Sequence, residues 1–174
     1  MILFGKKDQP SRNAYAVVTG AGSGIGRSFA VELAKRGGSV VCADINLEAA
    51  EETVKLIEQL GQKAFAVQCD VGQAEQVQTL ADQAEQLLDH PVTLIINNAG
   101  VGLGGKFDEM SLEDWKWCMH VNLWGVIHGC HAFVPKFKKR HCCKVSDEAA
   151  FCLIQRPYIS KTLLTRRISP RGSP

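Results

Sequence analysis

The sequence predicts an α/β fold with a doubly wound parallel sheet, and three features support that prediction. Strand and helix patterns alternate along residues 14–90. The fourth strand is apolar along nearly its whole length, as a strand covered on both faces is. Helices separate the strands, and such connections form right-handed crossovers between parallel strands. We expect an incomplete, Rossmann-like sheet with about four strands and four helices.

The elements follow in order along the chain. The strand AYAVVTG ends in glycine, and apolar residues at helical spacing then run from Ile25 to a pair of glycines. The strands SVVCAD and KAFAVQCD each precede a helix with an apolar stripe, and VTLIINNAG is the fourth strand. A further helix is predicted over residues 111–133, starting with a capping box at Ser111 and Asp114. It carries two apolar stripes, so it needs two packing partners.

Charge is distributed unevenly along the chain, whose overall composition is that of a globular protein. The chain has 174 residues, 45% of them hydrophobic and 22% charged. Through Pro135 it contains 10 basic and 16 acidic residues, net −6, whereas the remainder contains 10 basic and 2 acidic, net +8. A basic arm for nucleic acid or acidic lipid is one interpretation, and a tail without selected structure is the other. No aromatic interleaving or amphipathic spacing organises the charges, which favours the second interpretation and predicts no nucleic-acid partner.

Targeting and metal signals are weak. The opening MILFG is too short for the apolar segment of a signal peptide or for a membrane span, so we expect a cytoplasmic protein with no membrane partner. The seven cysteines include no C-x-x-C pair. We therefore expect no metal site, and reduced thiols rather than disulfides.

A glycine-rich stretch, VVTGAGSGIGRS, joins the first strand to the first helix. Gly20, Gly24 and Gly26 allow a tight turn and close approach of a phosphate, and the helix N-terminus offers amide donors to that phosphate. The spacing G-x-x-x-G-x-G differs from G-x-G-x-x-G, and no P-loop lysine is present. A purely structural turn is the alternative interpretation.

Polar or small residues follow three successive strands. Asp44 ends the second strand, where a carboxylate can accept hydrogen bonds from both adenosine ribose hydroxyls and would repel a 2′-phosphate. This favours NAD over NADP. Asp70 follows the third strand and N-N-A-G the fourth, so these residues should share the carboxyl edge of the sheet. Asp70 could equally cap the next helix.

Together these motifs resemble the short-chain dehydrogenase/reductase family. The shared motifs are T-G-x-x-x-G-x-G at residues 19–26, the aspartate at 44, CDV at 69–71, N-N-A-G at 97–100 and VNLWG around Asn122. The resemblance covers residues 14–137 and implies a Rossmann-type NAD(P)-binding domain over residues 1–137. Members of the family move a hydride between nicotinamide and the alcohol or carbonyl carbon of a small molecule.

The resemblance also implies roles for individual residues. The pyrophosphate would be held by Gly20, Ser23, Gly24, Ile25 and Gly26. The adenosine would be held by Asp44, Asp70 and Val71. The loop that borders both the adenosine and the nicotinamide would be formed by Asn98, Ala99 and Gly100. Asn122 would be the helix-borne member of a catalytic Asn-Ser-Tyr-Lys set.

The rest of that set departs from the family's pattern. Tyr158 and Lys161 are three residues apart instead of four, which turns the lysine by about 100° around a helix. Ser146 is also not at the family's distance from Tyr158, and Pro157 disfavours a helix interior there. Two hypotheses remain: an NAD(P)-dependent oxidoreductase with weak or no activity, and a non-catalytic nucleotide-binding fragment that associates with other subunits.

The sequence changes character near Lys138. Charge reverses, glycine becomes rare and the family's spacing is lost, as a reading-frame change or a fused unrelated exon would produce. We expect residues 138–174 to form a divergent, basic, poorly ordered tail on a truncated domain. The helix over residues 111–133 would then keep an uncovered apolar side, which predicts a homo-oligomer formed through that helix.

Overall fold

The core of the protein is a parallel sheet, seen in a computed structural model that describes residues 11–141 and 151–154. Five strands lie in the order β3-β2-β1-β4-β5. Their bounds are β1 Tyr15–Thr19, β2 Ser39–Asp44, β3 Ala64–Gln68, β4 Leu94–Asn97 and β5 Phe151–Ile154. The chain runs outward from β1 to β3 and then returns to place β4 on the other side of β1. The strand order therefore reverses between β1 and β4, and a crevice opens at such a point.

Helices cover both faces of the sheet. Their bounds are α1 Gly24–Lys35, α2 Leu47–Glu58, α3 Ala74–Leu88, α4 Leu112–Met119 and α5 Gly125–His141. One core cluster joins the sheet to α1 and α2, and a second joins it to α3 and α5. The predicted doubly wound parallel sheet, with its four strands and intervening helices, is confirmed.

β5 is an addition to the predicted sheet. It pairs with β4 in parallel, from Leu94 opposite Phe151 to Asn97 opposite Ile154. The run FCLI is only four residues long and shows no alternation of apolar and polar residues, so its pattern did not indicate a strand. The proposed boundary near Lys138 and the character of the basic tail remain predictions, because most of that segment lies outside the described residues.

The helix predicted over residues 111–133 begins where expected but is not uniform. The Ser111 side chain accepts a hydrogen bond from the Asp114 backbone amide, and the Asp114 carboxylate accepts one from the Ser111 backbone amide, which confirms the capping box. One turn of π-helix, His120–Trp124, then separates α4 from α5. A π-turn inserts one extra residue into the helix and re-aims the side chains around it, and such turns are frequent at functional sites. Here the turn is centred on Asn122.

α3 is one of the two partners that this helix requires. Phe133 of α5 is fully buried against the α3 side of the core, together with Ala132 and Phe137. Lys136 forms ion pairs of 2.8 Å with Asp82 and 2.9 Å with Glu85 across the same contact. Burial lowers the pKa of Lys136, but its hydrogen bonds with the two carboxylates outweigh burial and raise that pKa overall. The Lys136 hydrogen bond lowers the pKa of Asp82.

Two cysteines, Cys42 and Cys69, are buried within the sheet core. Burial raises the pKa of Cys42 to about 12, and burial together with the Asp70 charge raises that of Cys69 to about 11. Both thiols therefore remain protonated at neutral pH and act as small apolar groups. Among the described helices, none is long and apolar enough to cross a membrane.

Candidate functional site

The glycine turn occupies the end of β1, in the crevice beside β4. Gly20 and Gly24 have φ values of +64° and +52°, a region that glycine enters without strain. Gly26 lies directly over the Gly20 carbonyl oxygen, so closely that no side chain fits between them. Ser23 forms the N-cap of α1, but its side chain accepts no bond from the helix. The first amides of α1 have no intrahelical partner and can donate to an anion.

Asp44 faces this turn from the end of β2. One carboxylate oxygen accepts a hydrogen bond of 2.8 Å from the Gly22 amide, and the other accepts one of 3.0 Å from the Asn46 amide. A Cβ on Gly22 would lie 2.8 Å from that first oxygen, so glycine is required there as well. The two amides fix the carboxylate, and each oxygen keeps a lone pair for another donor. The sequence patterns did not single out Gly22.

Thr19 and Asn98 join the ends of β1 and β4. The buried Thr19 hydroxyl accepts hydrogen bonds from the amides of Asn98 at 3.0 Å and Ala99 at 3.1 Å. The Asn98 side chain donates in return to the carbonyls of Thr19 at 2.9 Å and Gly20 at 3.2 Å. The T-G and N-N-A-G motifs therefore form one hydrogen-bonded unit. Thr19 was part of a motif, but the sequence indicated no role for its hydroxyl.

Asp70 and Val71 lie at the end of β3. The Asp70 carboxylate accepts a 2.9 Å hydrogen bond from the Gly72 amide, forming a turn before α3. The alternative that Asp70 caps this helix is wrong, because α3 begins at Ala74 and Gln73 is its N-cap. Val71 is buried, and its carbonyl oxygen lies 2.9 Å from Nδ1 of His128 on α5. No spacing pattern in the sequence pointed to His128.

Asn122 binds the loop that follows β4. Its side-chain oxygen accepts from the Val101 amide at 2.8 Å, and its side-chain nitrogen donates to the Val101 carbonyl at 2.8 Å. These two bonds attach the loop after Gly100 to the π-turn. Asn122 therefore lies at the same edge as the glycine turn and holds the loop beside it. The other predicted catalytic residues, Ser146, Tyr158 and Lys161, lie outside the described residues.

An open cavity of about 560 Å³ adjoins the ends of β2 and β3, where its lining includes Ile45, Gln68 and Asp70. The structure thus places the glycine turn, the three strand ends and Asn122 along one side of the sheet. Within residues 11–141 and 151–154, no group of three or more histidine, cysteine, aspartate or glutamate side chains could hold a metal ion.

This arrangement of turn, strand ends and helix matches a known family. The short chain dehydrogenase family model matches residues 14–145. The chain belongs to the short chain dehydrogenase family.

Named relatives and solved structures support this assignment. The chain is 39% identical over 124 residues to a 7alpha-hydroxysteroid dehydrogenase of Escherichia coli, a match that covers 71% of this chain and 48% of the relative. It is 41% identical over 124 residues to a cyclohexanol dehydrogenase of an Acinetobacter species, a match that covers 71% of this chain and 49% of that relative. The crystal structure of a short chain dehydrogenase/reductase from Burkholderia phymatum in complex with NAD resembles this fold with a TM-score of 0.75 at 39% identity. The match covers 84% of this chain and 50% of that structure. The chain thus spans about half the length of the curated relatives it matches.

Proposed function

We propose that the chain binds NAD(H) at the carboxyl edge of the sheet and acts as an oxidoreductase between an alcohol and a carbonyl compound. The orientation of Asp44 carries this proposal, because the Gly22 and Asn46 amides hold its carboxylate beside the glycine turn. Bound NAD would supply the nicotinamide carbon that accepts or donates the hydride. The glycine turn fits such a group, because nothing lies within 4 Å of a Cβ placed on Gly24 and the first amides of α1 can donate to phosphate oxygens.

Each part of the cofactor has its own set of residues in this proposal. The pyrophosphate would lie against the α1 N-terminus and be held by Gly20, Ser23, Gly24, Ile25 and Gly26. Asp44 would accept hydrogen bonds from the adenosine ribose, while Asp70 and Val71 would border the adenine. The loop of Asn98, Ala99 and Gly100 would lie towards the nicotinamide. The Asn98 and Ala99 amides donate to Thr19, and the adjoining Val101 amide donates to Asn122. NAD is favoured over NADP, since a 2′-phosphate would meet the Asp44 charge.

Cyclic secondary alcohols are the substrate class we propose. Two relatives are named as dehydrogenases of a hydroxysteroid and of cyclohexanol, and each match covers 71% of this chain. A hydroxyl on a ring carbon is common to those two names. We also propose that the protein is cytoplasmic, on the compositional grounds given above.

Oxidation of cyclohexanol tests the catalytic proposal. Purified protein with NAD is expected to form NADH, and Tyr158→Phe should lower the rate at least about 100-fold, because the phenol would exchange the substrate proton. The binding of NAD should not change, since the adenosine and pyrophosphate residues remain. NADH formation would be followed by its absorbance, and NAD binding by calorimetry. An unchanged rate in the variant would exclude Tyr158 from the mechanism.

A non-catalytic nucleotide-binding fragment is the second candidate. The three-residue spacing of Tyr158 and Lys161 favours it, because the family's spacing places the lysine on the same helix face as the tyrosine. This candidate predicts that NAD raises the melting temperature while no NADH forms from any alcohol. Turnover that depends on Tyr158 would exclude it.

We further propose that the helix from α4 to α5 pairs with a second copy of itself. Six of its apolar side chains are each more than two-fifths exposed: Leu112, Trp117, Met119, Leu123, Trp124 and Ile127. An antiparallel arrangement about a two-fold axis would bury this row. It would also bring the acidic end of α4, at Glu113, near the exposed Lys138 and Lys139 of the other copy.

Sedimentation velocity tests the pairing. Trp124→Glu is expected to shift the protein from dimer to monomer, because a carboxylate would be buried without a partner in the paired helices. Leu56→Glu, at a comparably exposed position on α2, is the matched control and should leave the dimer intact. A wild-type chain that sediments as a monomer at every concentration would exclude the pairing.

A further inference from the structure

Arg27 connects the glycine turn to α2. It is the residue after Gly26, and its guanidinium contacts Glu52 and Thr53 on α2. Its Nη2 donates to the Gly22 carbonyl, donates to the Glu52 carboxylate over a distance of 2.9 Å, and lies 3.4 Å from the Ala49 carbonyl oxygen. Its Nε donates to the Thr53 hydroxyl at 3.0 Å. One side chain therefore binds both the turn and a helix on the far side of it.

Thr53 extends this connection to the neighbouring peptide group. Its side chain is fully buried, and its hydroxyl lies 2.8 Å from the Ala21 carbonyl oxygen, to which it donates. The same oxygen atom of Thr53 accepts the Arg27 Nε–H. Arg27 thus orients the hydroxyl that holds Ala21, and it binds the Gly22 carbonyl directly.

The peptide group between Ala21 and Gly22 leads from this network to Asp44. A peptide group is planar, so its carbonyl and its N–H turn together. Here the carbonyl of Ala21 is held by Thr53, and the N–H of Gly22 donates to Asp44 at 2.8 Å. Any rotation of this plane moves the hydrogen bond that fixes the carboxylate. Glycine has no Cβ to resist such a rotation, so the resistance must come from the hydrogen bonds.

We propose that Arg27 is a positioning residue that sets the direction of the Asp44 carboxylate towards the adenosine ribose, and thereby the preference for NAD over NADP. This inference rests on the proposed function. Arginine suits the position because its fork presents separate nitrogens to Thr53 and to Gly22, whereas lysine has a single nitrogen. Arg27 would act through the turn and would not touch the cofactor.

Titration of the full chain with NAD and with NADP tests this role. Arg27→Met keeps the apolar stem and removes the donors, and it is expected to weaken NAD binding about tenfold, the effect of losing a hydrogen bond to a charged group. NADP binding should weaken by less than about threefold, since the Asp44 carboxylate contributes little to the affinity for NADP. Arg27→Lys should show the same loss of preference, because a compact ammonium lacks the two spaced nitrogens that reach Thr53 and Gly22 separately.

Arg36→Met is the matched control. Arg36 lies at the other end of α1 and pairs with Glu32 at 2.8 Å, away from the turn, so neither affinity should change. Glu52→Gln should also keep the preference, because Arg27 retains its bonds to Gly22 and Thr53. A role in packing α1 against α2 would instead weaken both cofactors by the same factor.

A double-substitution cycle with Asp44→Ala separates the two roles. If Arg27 acts through Asp44, Arg27→Met should have almost no further effect on NAD affinity once Asp44 is alanine. Effects that add in full, or equal losses for NAD and NADP, would overturn the inference while leaving NAD binding in place. A wild-type chain that binds neither cofactor would overturn the proposed function itself.

Discussion

Replacing Gly26 with alanine is expected to lower the free energy of unfolding by about 3 kcal/mol and to abolish NAD binding, the overpacking cost being at the upper end of its usual range. A Cβ at this position would collide with the Gly20 carbonyl oxygen and with the Asn98 side-chain nitrogen. The carbonyl belongs to the backbone of the turn and cannot move away without displacing Gly20. The Asn98 nitrogen is already bonded to the carbonyls of Thr19 and Gly20.

Gly102→Ala is the control for this substitution. A Cβ on Gly102 meets nothing within 4 Å, and its φ lies outside the left-handed region, so stability should change by less than about 0.5 kcal/mol. Denaturant unfolding would measure the free energies, and calorimetry would measure the binding of NAD. If Gly26→Ala unfolds at the wild-type denaturant concentration and still binds NAD, then the close packing of α1 on the turn is required neither for stability nor for NAD binding.

Periodicity and strand ends were enough to predict four of the five strands and most of the residues at the carboxyl edge of the sheet. A strand that ends in Asp44 or Asp70 places a polar group at the carboxyl edge whatever the rest of the chain does, because parallel strands end at the same edge. Glycine spacing likewise predicts a turn, since few other residues adopt the φ values of Gly20 and Gly24. These features depend on local sequence alone.

The remaining features depend on contacts between residues far apart in the chain. The Thr19 hydroxyl joins residues nearly 80 positions away, and the bond of His128 to Val71 spans 57 positions. No rule of residue spacing relates the partners of either contact, so the sequence pattern does not predict them. Arg27 was likewise indistinguishable from a solvated residue of an amphipathic helix until its bonds to Gly22 and Thr53 were seen. The π-turn at Asn122 interrupts a helix whose apolar stripes continue through it.

Asp44→Ala is expected to weaken NAD binding about thirtyfold and to remove the preference for NAD over NADP. The carboxylate would accept hydrogen bonds from two ribose hydroxyls, and bonds to a charged acceptor contribute more than neutral ones. NADP loses no such bonds, and its 2′-phosphate no longer meets a negative charge, which is worth about 1 kcal/mol at a solvated surface. Calorimetric titration of both cofactors gives the ratio of the two affinities.

Two further substitutions distinguish ribose binding from a general loss of the site. Asp44→Asn keeps the shape of the side chain and one acceptor oxygen, so it should weaken NAD binding less than Asp44→Ala does. It also removes the negative charge, so NADP binding should improve as much as it does in Asp44→Ala. Asp70→Ala removes a carboxylate at the neighbouring strand end that accepts from the Gly72 amide. Because both cofactors have the same adenine, Asp70→Ala should weaken NAD and NADP by equal factors. An unchanged affinity ratio in Asp44→Ala would show that this carboxylate does not face the ribose.

The affinity ratio, rather than either affinity alone, isolates the role of Asp44. Alanine leaves the Gly22 and Asn46 amides without their acceptor, so the free energy of unfolding should also fall by about 1–2 kcal/mol. That loss changes the fraction of folded chain, which lowers the apparent affinity for both cofactors by the same factor. This common factor cancels when the affinity for NAD is divided by the affinity for NADP. The quotient changes only when a group beside the 2′ position of the ribose is removed, as in Asp44→Ala, or when such a group is turned away, as proposed for Arg27→Met.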